Sequence, residues 1–302
     1  MAVAYRWALA AGLLCGAAAL AVALAVHDVR FYNLTWLQAP VPGAVWLPTL
    51  TGIALAWVLT ERAYVRDLDE RTWRALRGHP IGSELTWLLI FLACFIGGSA
   101  LLATVFGQLL AGVPFTPVVR VIFLFMLPIL FVDRAGFTLT GYGAAMPAHV
   151  LRVAEAKRWL GVVPLIACCA LAAVSVYPTS PPTPKLVILA AAVGFITVAI
   201  PEEVFFRSML QSRLERLAGR WAGILLSSLL YALTYAVLGS YNEFSPLPEG
   251  ELHSDVAHAL LTYGVLGVLY GYVWVCYRNL WLNVALHGAL ALVVASPALL
   301  IL

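Results

Sequence analysis

The run Pro201-Glu202-Glu203-Val204-Phe205-Phe206-Arg207 puts two adjacent carboxylates and a guanidinium at the end of an apolar stretch. Neighbouring carboxylates at a lipid boundary repel each other and lose hydration, which suits one of them to take a proton from water. Arg207 follows Glu203 by four residues, so on a helix the two share a face and can pair. Glu202 is rotated about 100° away and is free to face something else. The expected division is Glu203 with Arg207 for structure and Glu202 for chemistry. A second group is His287, near the middle of the last apolar stretch, with Asn283 one turn earlier on the same face. An imidazole at that depth must face protein or water, and the pair could donate to a developing oxyanion. A third is the hydroxyl-rich run holding Ser227, Ser228, Tyr231, Thr234 and Tyr235. Each also has a plainer reading when taken alone. The first could be a solvated charge cluster at a helix end. The second could be a helix–helix hydrogen bond worth ~0.6 kcal/mol, and the third a close-packing face.

The elements that must carry these groups are membrane helices. The 302 residues are 63% apolar and 11% charged, with a mean hydropathy of +0.93. A soluble domain is about half apolar and a quarter charged, so the bilayer must be the solvent for most of this chain. The net charge of +3 comes with no basic surface interleaved with aromatics, so no nucleic-acid partner is expected. The five cysteines fall in apolar runs without CxxC spacing, which argues against a zinc ribbon or a redox pair. Nine spans are expected, at roughly 7–26, 44–60, 85–113, 118–132, 160–177, 186–200, 222–239, 257–277 and 280–301. The fourth is short and holds Arg120, so eight is the alternative count. The first resembles a secretory signal in having Arg6 before it, but its length fits a retained span.

With nine spans the basic loops fall on one side. These are 61–84, 133–159, the stretch with Arg213, Arg216 and Arg220, and the turn with Arg278. The intervening loop 240–256 is acidic. The positive-inside rule then puts the N-terminus in the cytoplasm. Surface helices are expected over Tyr64–Leu76 and from Pro147 through Trp159, with plain charged loops as the alternative. The fold class is therefore all-α, a polytopic transmembrane bundle. Residues 1–185 hold the N-terminal helices and interfacial loops, and 186–302 hold the candidate site, in one continuous membrane domain.

Residues 186–294 resemble the CPBP family of intramembrane proteases, which includes type II CAAX prenyl endopeptidases and bacteriocin-processing enzymes. The family's E-E-x-x-x-R motif is matched by Glu202, Glu203 and Arg207. Its F-x-x-x-H motif aligns with Tyr231-Ala232-Leu233-Thr234-Tyr235, so a tyrosine stands in the histidine's place. Its H-x-x-x-N/D motif aligns with His287-Gly288-Ala289-Leu290-Ala291, which keeps the histidine and loses the polar partner. The resemblance implies that Glu202 activates water. It gives Glu203 and Arg207 the task of holding the helix end, and His287 that of supporting the oxyanion. Tyr235 can position water, but a protonated phenol is a poor base at neutral pH. Asn283 is expected to substitute for the partner missing at Ala291.

The function expected is an endopeptidase acting on a membrane-anchored protein or peptide in a bacterial inner membrane. A catalytically silent relative that binds a membrane peptide is the alternative, because of Tyr235 and Ala291. A transporter is disfavoured, since no matching pair of broken helices is visible. No cofactor is expected. A metal site at His253, Asp255 and His258 has suitable ligand types, but that loop is expected on the face away from Glu202.

Overall fold

The structure of the chain, a computed structural model, describes residues 33–34, 39–40, 42–106, 116–132, 153–176, 194–238 and 252–295. Apart from a two-residue antiparallel pair, Asn33–Leu34 with Ala39–Pro40, these residues are helices and their short connections. The expected span 7–26 and the first half of 186–200 lie outside them.

Helix α1 (Leu47–Leu59) is apolar all round, and the turn before it, Pro42–Trp46, is widened to i→i+5 bonding ahead of Pro48, which lacks an N–H to donate. Helix α2 (Arg62–Ala75) meets it at 95°. The reason is compositional. Val65, Leu68, Asp69 and Thr72 form the buried stripe of α2, while Arg62, Arg66 and Arg74 are exposed. One face of the helix is thus apolar and buried and the other charged, over the stretch Tyr64–Leu76 where a surface helix is expected. The second expected surface helix lies largely outside the described residues. Its last residues, Ala156–Trp159, form a 3-10 turn.

Helix α3 (Ile81–Phe106) follows, then α4 (Thr116–Phe131) and α5 (Ala156–Val176). Helix α6 (195–218) leads through the tight turn at Gly219 into α7 (Arg220–Leu238). Gly219 has φ +93°, a conformation that costs glycine little and a side chain more. Helix α8 (252–277) and α9 (Leu280–Ala295) complete the bundle. Among the described residues, Ile81–Leu102, Ala156–Val176, Arg220–Leu238 and Asp255–Tyr277 are long and apolar enough to cross a membrane. Taking α1 with α2 as one broken span makes a fifth. The segments Thr116–Phe131 and Leu280–Val293 are apolar but shorter.

Helix α1 packs on α5 and α8, α9 on α5, and α7 on α6 and α8. Buried Phe95, Leu124, Phe205, Met209 and Trp274 belong to one continuous core. One end of the bundle is locked by buried charge. Arg278 pairs with Asp69 of α2 at 2.7 Å and with Glu215 of α6 at 2.5 Å. Arg220 reaches the other oxygen of Asp69. Arg158 donates to the carbonyl of Tyr277 at 2.8 Å and also to that of Arg278. Arg278 sits at φ +45°, a left-handed conformation unfavourable for a side chain with a Cβ. Its two carboxylate partners hold it there.

Candidate active site

The candidate residues converge where α6, α7 and α9 meet α4. Helix α6 is irregular for a local reason. Pro201 lacks the N–H that would bond to the carbonyl four residues back, and the preceding turn, Phe195–Ala199, is widened to i→i+5 bonding. The widened form resumes over Glu203–Gln211, where the Ser212 hydroxyl donates to the carbonyl of Arg207, 3.2 Å away. Every residue from Glu203 to Gln211 is buried.

Glu202 faces α4 and α7. Tyr235 donates its hydroxyl to both carboxylate oxygens, at 2.8 and 3.0 Å. The Nε of Arg120 lies 2.9 Å from Oε1 of the same carboxylate. Glu203 faces α9. Its Oε1 lies 2.9 Å from Nδ1 of His287, and its Oε2 accepts from Nδ2 of Asn283 at 3.0 Å. The imidazole spans the two carboxylates, since its Nε2 lies 3.6 Å from Glu202 and 3.3 Å from the Tyr231 hydroxyl. Tyr270 stacks on the imidazole with centroids 4.9 Å apart and fixes its plane.

Arg207 and Glu203 form an ion pair at 3.8 Å. The guanidinium also donates from Nη1 to Ser227 at 3.0 Å and to Gln211 at 3.3 Å. It lies over the rings of Tyr231 and Tyr270. Gln211 in turn donates to Glu215 at 2.7 Å and to the carbonyl of Gly271 at 3.0 Å. A Cβ at Gly271 would come within 2.9 Å of Gln211, so glycine lets α8 approach this amide. Glu203, Arg207, Gln211 and Glu215 recur every four residues, a polar stripe running from the site to the Arg278 lock.

The charges balance in kind. Two buried carboxylates face two buried guanidiniums, those of Arg120 and Arg207. An unpaired ion at such depth would cost several kcal/mol. Glu202, Glu203, Arg207, Tyr235, Asn283 and His287 are thus brought together, and all are 0–5% exposed. Asn283 is placed differently from the expectation. Its two amide hydrogens go to Glu203 and to the carbonyl of Tyr270 (2.9 Å), which leaves neither for a ligand. It orients Glu203, and through it His287. His258 is buried on α8, and the side chain of His253 lies outside the described residues.

Arg120 and Gln211 are members of the cluster that motif reading passed over, and Tyr231, part of the aligned second motif, was given no role. For Arg120 the signal was available, because an arginine in an apolar segment must point at a partner. Gln211 was marked by its place four residues beyond Arg207.

Residues 184–293 match the family model of Rce1-like type II CAAX prenyl endopeptidases. This Rce1-like stretch is about a third of the chain. No curated protein and no solved structure matches it. The Rce1-like domain contains α6, α7, α8 and nearly all of α9, and with them every site residue above except Arg120. Arg120 enters from α4, outside the domain. So do Asp69 and Glu84, which pair with Arg278 and Arg213 of the domain. The matched family is one of endopeptidases, enzymes of the hydrolase class.

Proposed function

We propose that the protein is a glutamate-dependent intramembrane endopeptidase. The observation that carries this is the His287 ring set between Glu203 at 2.9 Å and Glu202 at 3.6 Å. Two carboxylates and an imidazole in one buried cluster form an acid–base set. In the proposed reaction Glu202 takes a proton from water as the water oxygen adds to the scissile carbonyl carbon. The proton then passes to the leaving amine as the C–N bond breaks. Tyr235 holds the base by its hydroxyl. Glu203, fixed by Asn283 and Arg207, orients His287 toward the reacting atoms. The substrate is a membrane-anchored protein or peptide, since only such a chain presents itself at this depth.

The topology proposed is nine spans with the N-terminus in the cytoplasm of a bacterial inner membrane. Residues 186–302 form the catalytic core and 1–185 the preceding helices and interfacial loops. Exposed tryptophans support the orientation. Trp87, Trp159, Trp221 and Trp281 sit near the starts of α3, α5, α7 and α9, and the exposed Trp73 lies on α2. Those starts are tied together by the pairs of Arg213 with Glu84, Arg71 with Glu155 and Arg220 with Asp69. Tryptophans at one level beside basic loops mark a membrane interface on the positive side.

A second reading has its own observation. Oε1 of Glu202 already faces both Tyr235 and Arg120. A carboxylate so held suits a silent relative that binds membrane peptides without cleaving them. The deciding experiment uses the full chain purified in detergent with candidate co-expressed membrane proteins. Cleavage by wild type that is lost in Glu202→Ala supports the protease. Binding without cleavage by either form supports the silent relative.

A further inference from the structure

Arg120 lies in the second turn of the short apolar helix α4, is 1% exposed, and belongs to no part of the Rce1-like domain. Its Nε is 2.9 Å from Oε1 of Glu202, on the oxygen that also accepts from Tyr235. Its ring neighbour is Phe95, 5.5 Å away, which offers no acceptor lone pair. Nη1 is buried with no hydrogen-bond partner among the described residues. A guanidinium is therefore held against the proposed base with a donor unused. We propose that Arg120 is a catalytic residue whose Nη1 donates to the oxyanion formed on the scissile carbonyl. This rests on the proteolytic reading of Glu202.

The nearby hydroxyl and amide donors are committed, and the unpartnered N–H groups of the other guanidinium at the site belong to a side chain paired with Glu203. The Tyr235 hydroxyl is spent on Glu202, and both Asn283 hydrogens are spent on Glu203 and Tyr270. Nδ1 of His287 faces Glu203. Arg207 is sandwiched by the rings of Tyr231 and Tyr270 and serves Glu203, not Glu202. The oxyanion must form within reach of the water that Glu202 activates, and Arg120 is the cation beside that carboxylate. As the water oxygen bonds to carbon, its proton moves to Glu202 and the carbonyl π pair moves onto oxygen. That new negative charge sits where a fixed cation in a water-poor site stabilises it most. Collapse restores the carbonyl, breaks the C–N bond and delivers the proton to the amine.

The test uses the full chain in detergent, with membranes of the expression host as the substrate pool and new protein N-termini read by mass spectrometry. Wild type is expected to generate termini that Glu202→Ala does not. Arg120→Gln is expected to slow their appearance by ~10²–10³-fold, as for loss of one oxyanion donor. Arg120→Lys, which keeps the charge, should recover part of that loss. On the fastest-cleaved purified substrate the loss should fall on kcat with KM unchanged. Thermal melting of both variants separates this from misfolding. Glu202-dependent cleavage at an undiminished rate in folded Arg120→Gln overturns the role of Arg120 alone. A loss carried wholly by KM also overturns it. No Glu202-dependent termini from wild type would overturn the proteolytic reading and this role with it.

Discussion

The imidazole of His287 on α9 meets the carboxylate of Glu203 on α6 at 2.9 Å, across 84 residues of sequence. That contact uses Nδ1 and leaves Nε2 directed toward Glu202 and Tyr231. The second acid of the motif thus sets the tautomer and the aim of the ring.

Asn283 supplies the next link. Replacing it by Ala leaves Glu203 Oε2 and the Tyr270 carbonyl each short of a donor. The expected cost is ~1–3 kcal/mol of stability, read as a lower melting temperature in detergent. Activity should fall less than in Glu202→Ala, because Asn283 acts through Glu203. A loss as complete as that of Glu202→Ala would place it among the reacting groups instead.

Tyr235 is where the family's second motif carries histidine. Tyr235→Phe removes both contacts to Glu202 and should slow cleavage by ~10-fold or more while leaving the fold intact. Tyr235→His restores a titratable group and should cleave faster than Tyr235→Phe. Equal rates for wild type and Tyr235→Phe would show that the hydroxyl contributes nothing to the reaction.

Arg213 and Glu84 tie α6 to α3 at 2.6 Å, both nearly or fully buried. Arg213→Ala leaves the buried Glu84 carboxylate with His79, 2.9 Å from its other oxygen, in place of an arginine, and should cost up to ~3–5 kcal/mol. Arg213→Met combined with Glu84→Gln removes both charges and should regain most of that. Chemical or thermal unfolding in detergent reads the difference.

At the surface, Glu155 is held below the usual carboxylate range, chiefly by the Tyr64 hydroxyl and then by Arg71. A carboxylate depressed in the fold stabilises it above the unfolded value, and that contribution is lost as pH falls through the folded one. Glu155→Gln should therefore flatten the acid side of the melting-temperature profile and leave it nearly unchanged with further rise above neutrality. The pair is partly exposed, so the effect is small and weakens with added salt. An identical acid limb in wild type and variant would exclude this contact as a contributor.

The features readable along the chain follow from short-range physics. Apolar runs of bilayer length specify helices such as α3, α5, α7 and α8, because backbone groups in lipid must bond within their own segment. The i, i+3, i+4, i+7 placement of Val65, Leu68, Asp69 and Thr72 gives α2 a single buried stripe. Glu202, Glu203 and His287 stood out by residue type, spacing and span position, and the family resemblance joined them into one candidate site. The tertiary structure alone decided which donor meets which acceptor. Asn283 spends both hydrogens on Glu203 and Tyr270, Arg120 arrives at Glu202 from a helix outside the Rce1-like domain, and Arg278 finds Asp69 across 209 residues. No periodicity encodes such pairings. Each is a competition among buried groups for a limited number of lone pairs and N–H bonds, and only the packed arrangement of several helices settles it.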